Sequence, residues 1–172
     1  MRAKLLWFMA LVILGVVNFA VWQKEQVLAE GKTVLLELAP RDPRSLMQGD
    51  YMVLNYRLAG DLRTQLSDRS VDGLAVVKLD EQGQAVFDHI HQAGETLRPD
   101  QALIRFRKRG AVVRIGAEAF FFQEGHATVY TPARYGELKV ADDGEVVLVG
   151  LRDAESRPLQ PPENSESRHH SQ

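Results

Sequence analysis

The sequence predicts a mainly β domain, β-rich α+β in class and antiparallel in pairing, with one or two short helices, behind a single N-terminal transmembrane helix. Three observations carry this. The chain opens on an uncharged apolar run, continues as about eight short Val/Leu-rich or alternating segments divided by local turn signals, and has no helical pattern long enough for parallel crossovers. With 172 residues, 45% hydrophobic and 26% charged, it has the composition of one globular domain with an appendage.

Residues 5 to 22, LLWFMALVILGVVNFAVW, carry no charge, and a helix of that length is roughly 27 Å long, close to a bilayer core. Arg2 and Lys4 precede it, and Trp7 and Trp22 lie near its ends, which predicts a cytoplasmic N-terminus and interfacial aromatic anchoring in a cytoplasmic (inner) membrane. A cleaved signal peptide shares the basic start and the apolar run. A cut after Ala20, however, would put Asn18 where a small residue is needed. The uncleaved anchor is the favoured reading, and both readings place the rest of the chain across the membrane, periplasmic or extracellular. The division expected is 1–22 cytoplasmic start and anchor, 23–31 stalk, 32–151 β-rich domain and 152–172 disordered tail.

QKEQVLAEGK (23–32) continues helical spacing, with Gly31 as its stop. TVLLEL (33–38) is the first strand. In APRDPRSLMQGD, Asp42 and Pro43 suit the start of a one- or two-turn helix and Gly49 its exit. The second strand, 51–58, turns Met52, Leu54, Tyr56 and Leu58 to the core and Tyr51, Val53, Asn55 and Arg57 away from it. Leu62 and Leu66 allow a short surface helix within 60–73. LAVVKLD and AVFDHI form a hairpin through EQGQ, and ALIRFRKRGAVVRIG forms another turning near Gly110. EAFFFQEG is strand-like; Phe120 and Phe122 share one face and Phe121 takes the other. GELKVADDGEVVLVGL closes the domain as a hairpin around DDG, and the Pro/Ser-rich segment after it is the tail.

RDPRSLMQGDYMVLNY, followed later by FFFQEGHATVYTPARYGELKV, resembles the bacterial GDYXXLXY family, whose octapeptide is met here by Gly49, Asp50, Tyr51, Leu54 and Tyr56. The resemblance covers about Thr33 to Leu151. It implies a membrane-anchored or secreted protein, in some cases encoded beside multi-spanning membrane proteins, and it brings no catalytic residue. Read physically, the octapeptide is a turn handing the chain to a strand. Gly49 supplies the turn, Asp50 accepts backbone N–H groups, Leu54 and Tyr56 pack inward, and Asp50 with Tyr51 is left as the candidate binding face.

A net charge of −2 offers no field to draw nucleic acid, and without cysteine there is neither a disulfide nor a thiolate site. Arg105, Arg107 and Arg109 share one strand face. They read as a solvated face protecting a sheet edge or as a contact for anionic headgroups or an acidic partner. His89 and His91 lack a third ligand at metal-site spacing and read as surface histidines. No cofactor or metal is expected. The function expected is a membrane-anchored extracytoplasmic binding or scaffold protein working with an integral membrane partner. The alternative is an envelope hydrolase with Ser45 as nucleophile and Lys78 as base, resembling the serine–lysine signal peptidases, but the Met and Pro expected around that serine are missing.

Overall fold

In the computed structural model the described residues are 2–39, 47–48, 51–66 and 70–161. The first helix, α1 (Arg2–Glu30), is unbroken and contains a segment, Trp7–Glu30, of mean hydropathy 1.5, long and apolar enough to cross a membrane. The apolar residues from Trp7 to Trp22 are exposed on every side, as expected of a helix whose hydrophobic surface belongs to no protein core. Further along, Val27 is buried against the domain and Gly31 ends the helix, its N–H donating to the Val27 carbonyl (2.9 Å). Glycine is needed there for closeness: a Cβ would stand 2.2 Å from the Val27 carbonyl oxygen and 3.2 Å from the Val140 backbone. The stretch read as a stalk is therefore the last turns of α1.

Ten strands follow among the described residues: β1 (Lys32–Glu37), β2 (Met47–Gln48), β3 (Tyr51–Val53), β4 (Val71–Leu79), β5 (Gln84–Ile90), β6 (Gln101–Arg109), β7 (Val112–Arg114), β8 (Ala119–Phe121), β9 (Tyr135–Val140) and β10 (Val146–Arg152). Seven form a sheet in the order β10-β9-β1-β5-β4-β6-β7, and β2-β3-β8 form a second, smaller one. The sheet is mixed, which corrects the purely antiparallel expectation: β1 runs parallel to β5, pairing Leu35 with Gln84 and Leu36 with Ala85. A long helix is not needed for that crossover. The return path is built from β2, β3, the helix α2 (Arg57–Gln65) and β4, which together supply the length a parallel connection requires.

The strand expected over 51–58 ends early. Tyr56 is still extended (φ −91°, ψ 142°) and bridges Leu38, but α2 begins at Arg57, so Leu58 is buried from a helix. Leu58 and Leu62, four residues apart, form one apolar stripe against the core, and that stripe outweighs continued alternation. Met47 and Gln48 pair with β3 as strand; the rest of the helical turn expected around Asp42 and Pro43 lies outside the described residues. The EQGQ turn is as expected, with Asp80 Oδ1 accepting the N–H groups of Gln82 and Gln84, both at 2.8 Å. A single helical turn, α3 (Ala127–Tyr130), stands just before Pro132. The described backbone also continues past the boundary expected at 152. Arg152 belongs to β10 and grips Glu137 through two hydrogen bonds (2.8 and 2.9 Å), and Leu159 packs against the core.

The core lies between the inner face of the large sheet, with Val34, Leu36, Val77, Ile104, Phe106 and Leu138, and the layer made by β3, β8 and α2. The sheet curls. The β9–β10 turn comes back onto β6, where the Arg105 N–H donates to the Gly144 carbonyl (2.8 Å), taking an edge position that the short β7 leaves open.

Candidate functional site

The octapeptide is built into the fold from its third residue onward. Tyr51 pairs across strands with Phe121, their rings 5.7 Å apart, and Phe121 is exposed, so these two present an aromatic surface on the outer side of the small sheet. Phe120 and Phe122 turn inward onto Tyr130, at 4.9 and 5.4 Å, as the alternation of EAFFFQEG required. Leu54 is 2% exposed, and its N–H donates to the Glu118 carbonyl (2.7 Å). The Tyr56 ring is buried, and its hydroxyl donates to the Ala117 carbonyl (2.8 Å). Burial, reinforced by the nearby Glu118 carboxylate, pushes the Tyr56 phenol well above its ordinary range. The ring rests on Gly136: a Cβ there would meet Tyr56 Cε1 at 2.8 Å and its hydroxyl oxygen at 2.9 Å. Tyr56 of the first motif and Gly136 of the second are thus two halves of one contact. Gly49 and Asp50 lie outside the described residues.

Those two motifs and their joint packing set the frame for comparison with known proteins. The model of the family described as GDYXXLXY protein matches residues 13–151. The chain belongs to the GDYXXLXY family. No curated protein and no solved structure matches it. For this GDYXXLXY protein the inward half of the octapeptide is explained by packing, and the site of interest lies elsewhere, where the sequence placed three arginines.

Arg105, Arg107 and Arg109 stand on the outer face of β6, opposite the buried Ala102, Ile104 and Phe106. They line a groove of about 600 Å³ that also takes Arg114 from β7, Lys24 from α1, and Glu118 and Glu145. Five basic and two acidic side chains surround it, with exposed Val112 as an apolar flank and the core residues Ile115 and Val146 behind it. Three of the cations are paired. Lys24 meets Glu145 at 2.6 Å, Arg105 meets Asp143 at 3.2 Å, and Arg109 grips Asp72 with two hydrogen bonds of 2.5 and 3.1 Å. The Arg109 hydrogen bonds hold the Asp72 carboxyl below the usual carboxylate range. Glu118 is committed to the backbone, accepting from the N–H groups of Ile115 (2.5 Å) and Gly116 (2.9 Å). Arg107 and Arg114 form no ion pair among the described residues and are direct cross-strand partners, a juxtaposition of like charges that the Asp72 carboxylate, opposite Arg107 on β4, partly offsets.

Reading the sequence found the first three arginines and missed Arg114 and Lys24. The signal for Arg114 was present, since a two-residue turn at Gly110 puts position 109 opposite 112 and 107 opposite 114. Lys24 joins only through the docking of α1. Lys108, between Arg107 and Arg109, lies on the core face of β6 and is 1% exposed, a burial that reading the sequence did not single out.

His89 and His91 belong to a polar cluster beside the groove's sheet. His89 Nε2 lies 2.6 Å from Glu95, which also stands 3.4 Å from His91, while Asp88 accepts from Gln101 (2.8 Å) and lies 3.4 Å from His89. The Gln101 hydrogen bond lowers the Asp88 carboxyl. The Gln92 backbone N–H, then His89, lower that of Glu95. No metal-binding group of three occurs among the described residues. Lys78 is exposed on β4, without the enclosure a lysine base needs, and Ser45 lies outside the described residues.

Proposed function

We propose that this GDYXXLXY protein is a single-pass membrane protein, N-terminus inside, whose β-rich domain serves on the periplasmic or outer side as a binding or scaffold module beside an integral membrane partner. The observation that carries this reading is the continuity of α1. Its apolar stretch passes without a break into the turns that dock on the domain through Val27, the Lys24–Glu145 pair and the Lys139 ammonium on the Gly31 carbonyl (3.1 Å). A domain fixed to its helix in this way keeps one face toward the membrane surface, whereas a flexible linker would leave it free to tumble. Arg2 and Lys4 before the apolar stretch support the inside N-terminus.

Fusions at the C-terminus test the topology. Alkaline phosphatase should be active and a cytoplasm-dependent fluorophore dark; the reverse pattern rules the orientation out. Photo-crosslinkers placed at Phe121 and at Val112 in native membranes test the binding role. Neighbouring protein or lipid should be captured at one of these faces and not at the exposed Val149 on β10.

A further inference from the structure

The groove has a more specific occupant. We propose that it seats the phosphate headgroup of an anionic phospholipid from the leaflet into which α1 emerges, with Arg107 and Arg114 as the paired donors. This inference rests on the anchored reading given above, and its position along α1 is the first support. Lys24 follows Trp22 by two residues, roughly 3 Å of helix rise, while the headgroup layer adds about 5–7 Å beyond each side of the hydrocarbon core. The Lys24 wall of the groove therefore stands at headgroup depth when Trp22 occupies the interface.

Charge is the second support. Asp72, Asp143 and Glu145 form ion pairs with the flanking cations; Asp72 also stands opposite Arg107 across β4 and β6, but neither Arg107 nor Arg114 forms an ion pair of its own among the described residues. An anion between them converts a repulsive pair into a two-sided clamp, and guanidinium groups bind phosphate oxygens in bidentate fashion. Protection of the β7 edge explains charge on that strand. It does not explain a concavity, nor why three of the groove's cations hold ion pairs and the central two do not.

The third support is chemical. Exposed Val112 gives the groove an apolar flank beside its basic floor, with the core residues Ile115 and Val146 behind it, and about 600 Å³ exceeds the needs of a phosphate ion. A phospholipid headgroup with its glycerol and first methylenes uses both the guanidinium groups and Val112; free phosphate leaves Val112 wet.

The full-length protein is reconstituted into nanodiscs of phosphatidylcholine alone or with about 30% phosphatidylglycerol, and retained lipid is read by native mass spectrometry. Retention of phosphatidylglycerol over phosphatidylcholine should exceed about tenfold and should fall about tenfold in R107A/R114A, while R157A, at the exposed Arg157, leaves it unchanged. The double variant should melt close to the parent, because it removes a like-charge contact together with the attraction between Arg107 and Asp72; R107Q and R114Q, each expected to give part of the loss, serve if it misfolds. Equal retention of the two lipids overturns the proposal, and so does a preference that survives in R107A/R114A. Displacement of the lipid by millimolar inorganic phosphate assigns the site to free phosphate and also overturns it, as does a photo-crosslinker at Val112 that captures polypeptide and no lipid. The topology fusions separate the two readings. A wrongly oriented domain that still shows arginine-dependent retention sinks the orientation alone, and a correctly oriented one without retention sinks the groove alone.

Discussion

Gly136→Ala isolates the contact that joins the two halves of the family signature. Gly136 sits in the interior strand β9, opposite Leu36 on β1 and Leu151 on β10, in extended backbone that alanine adopts without strain. On backbone grounds alone the substitution should stabilise by about 0.4–1 kcal/mol, through a less flexible unfolded chain. Sterics run the other way. The new Cβ would lie 2.8 and 2.9 Å from two atoms of the Tyr56 ring, and that ring is held by its 2.8 Å hydrogen bond to the Ala117 carbonyl, so it cannot swing aside without losing the bond. Overpacking of this kind costs about 1–3 kcal/mol, and a pinned ring puts it in the upper half of that range, about 2–3 kcal/mol, which leaves a net loss of about 1–2.6 kcal/mol and, for a domain of roughly 120 residues, a midpoint lowered by about 4–10 °C. Thermal melts followed by circular dichroism in detergent would measure it. The same substitution in a Tyr56→Leu background should be neutral or stabilising, because the obstructing ring is gone. A Gly136→Ala protein that melts at or above the parent refutes the contact.

Three further outcomes follow from the same geometry. Leu54→Ala, at 2% exposure, should cost about 2–5 kcal/mol in denaturant titration, whereas Tyr51→Ala removes the ring contact of half-buried Tyr51 with exposed Phe121, worth about 0.5–1.5 kcal/mol; the opposite ranking would reverse the faces assigned to β3. Because the folded phenol of Tyr56 is raised above its ordinary value of 10.0, the stability tied to it is complete below that pH and is lost as pH rises further. Tyr56→Phe should flatten that alkaline limb while costing about 1–2 kcal/mol at neutral pH through the orphaned Ala117 carbonyl, and melts at stepped alkaline pH would detect both. Glu95 and Asp88 are depressed below their ordinary 4.5 and 3.8, so their contribution is complete above those values and fades as pH falls through the lower folded ones. Glu95→Gln should make the acid limb shallower, and an unchanged limb would show that the His89–Glu95 contact carries no pH-dependent stability.

What the sequence determined by itself was whatever depends on neighbours along the chain. The uncharged run before Trp22, the inward Leu54 and Tyr56, the outward Phe121 and the hairpins at Gly83, Gly110 and Gly144 are all read from periodicity and turn chemistry, which act over a few residues. The three arginines of β6 were legible for the same reason. Tertiary structure alone decided the rest. The parallel pairing of β1 with β5 joins segments that carry no local record of each other, and α2 took Leu58 from the strand because its partner Leu62 gained a core to bury against. Gly136 looks like an ordinary strand glycine until the Tyr56 ring, far away in sequence, lies on it. The groove is the clearest case. Lys24 and Arg114 meet Arg107 only because α1 docks on the β9–β10 hairpin and the sheet curls that turn back onto β6, and long-range packing of that kind leaves no period in the sequence to read.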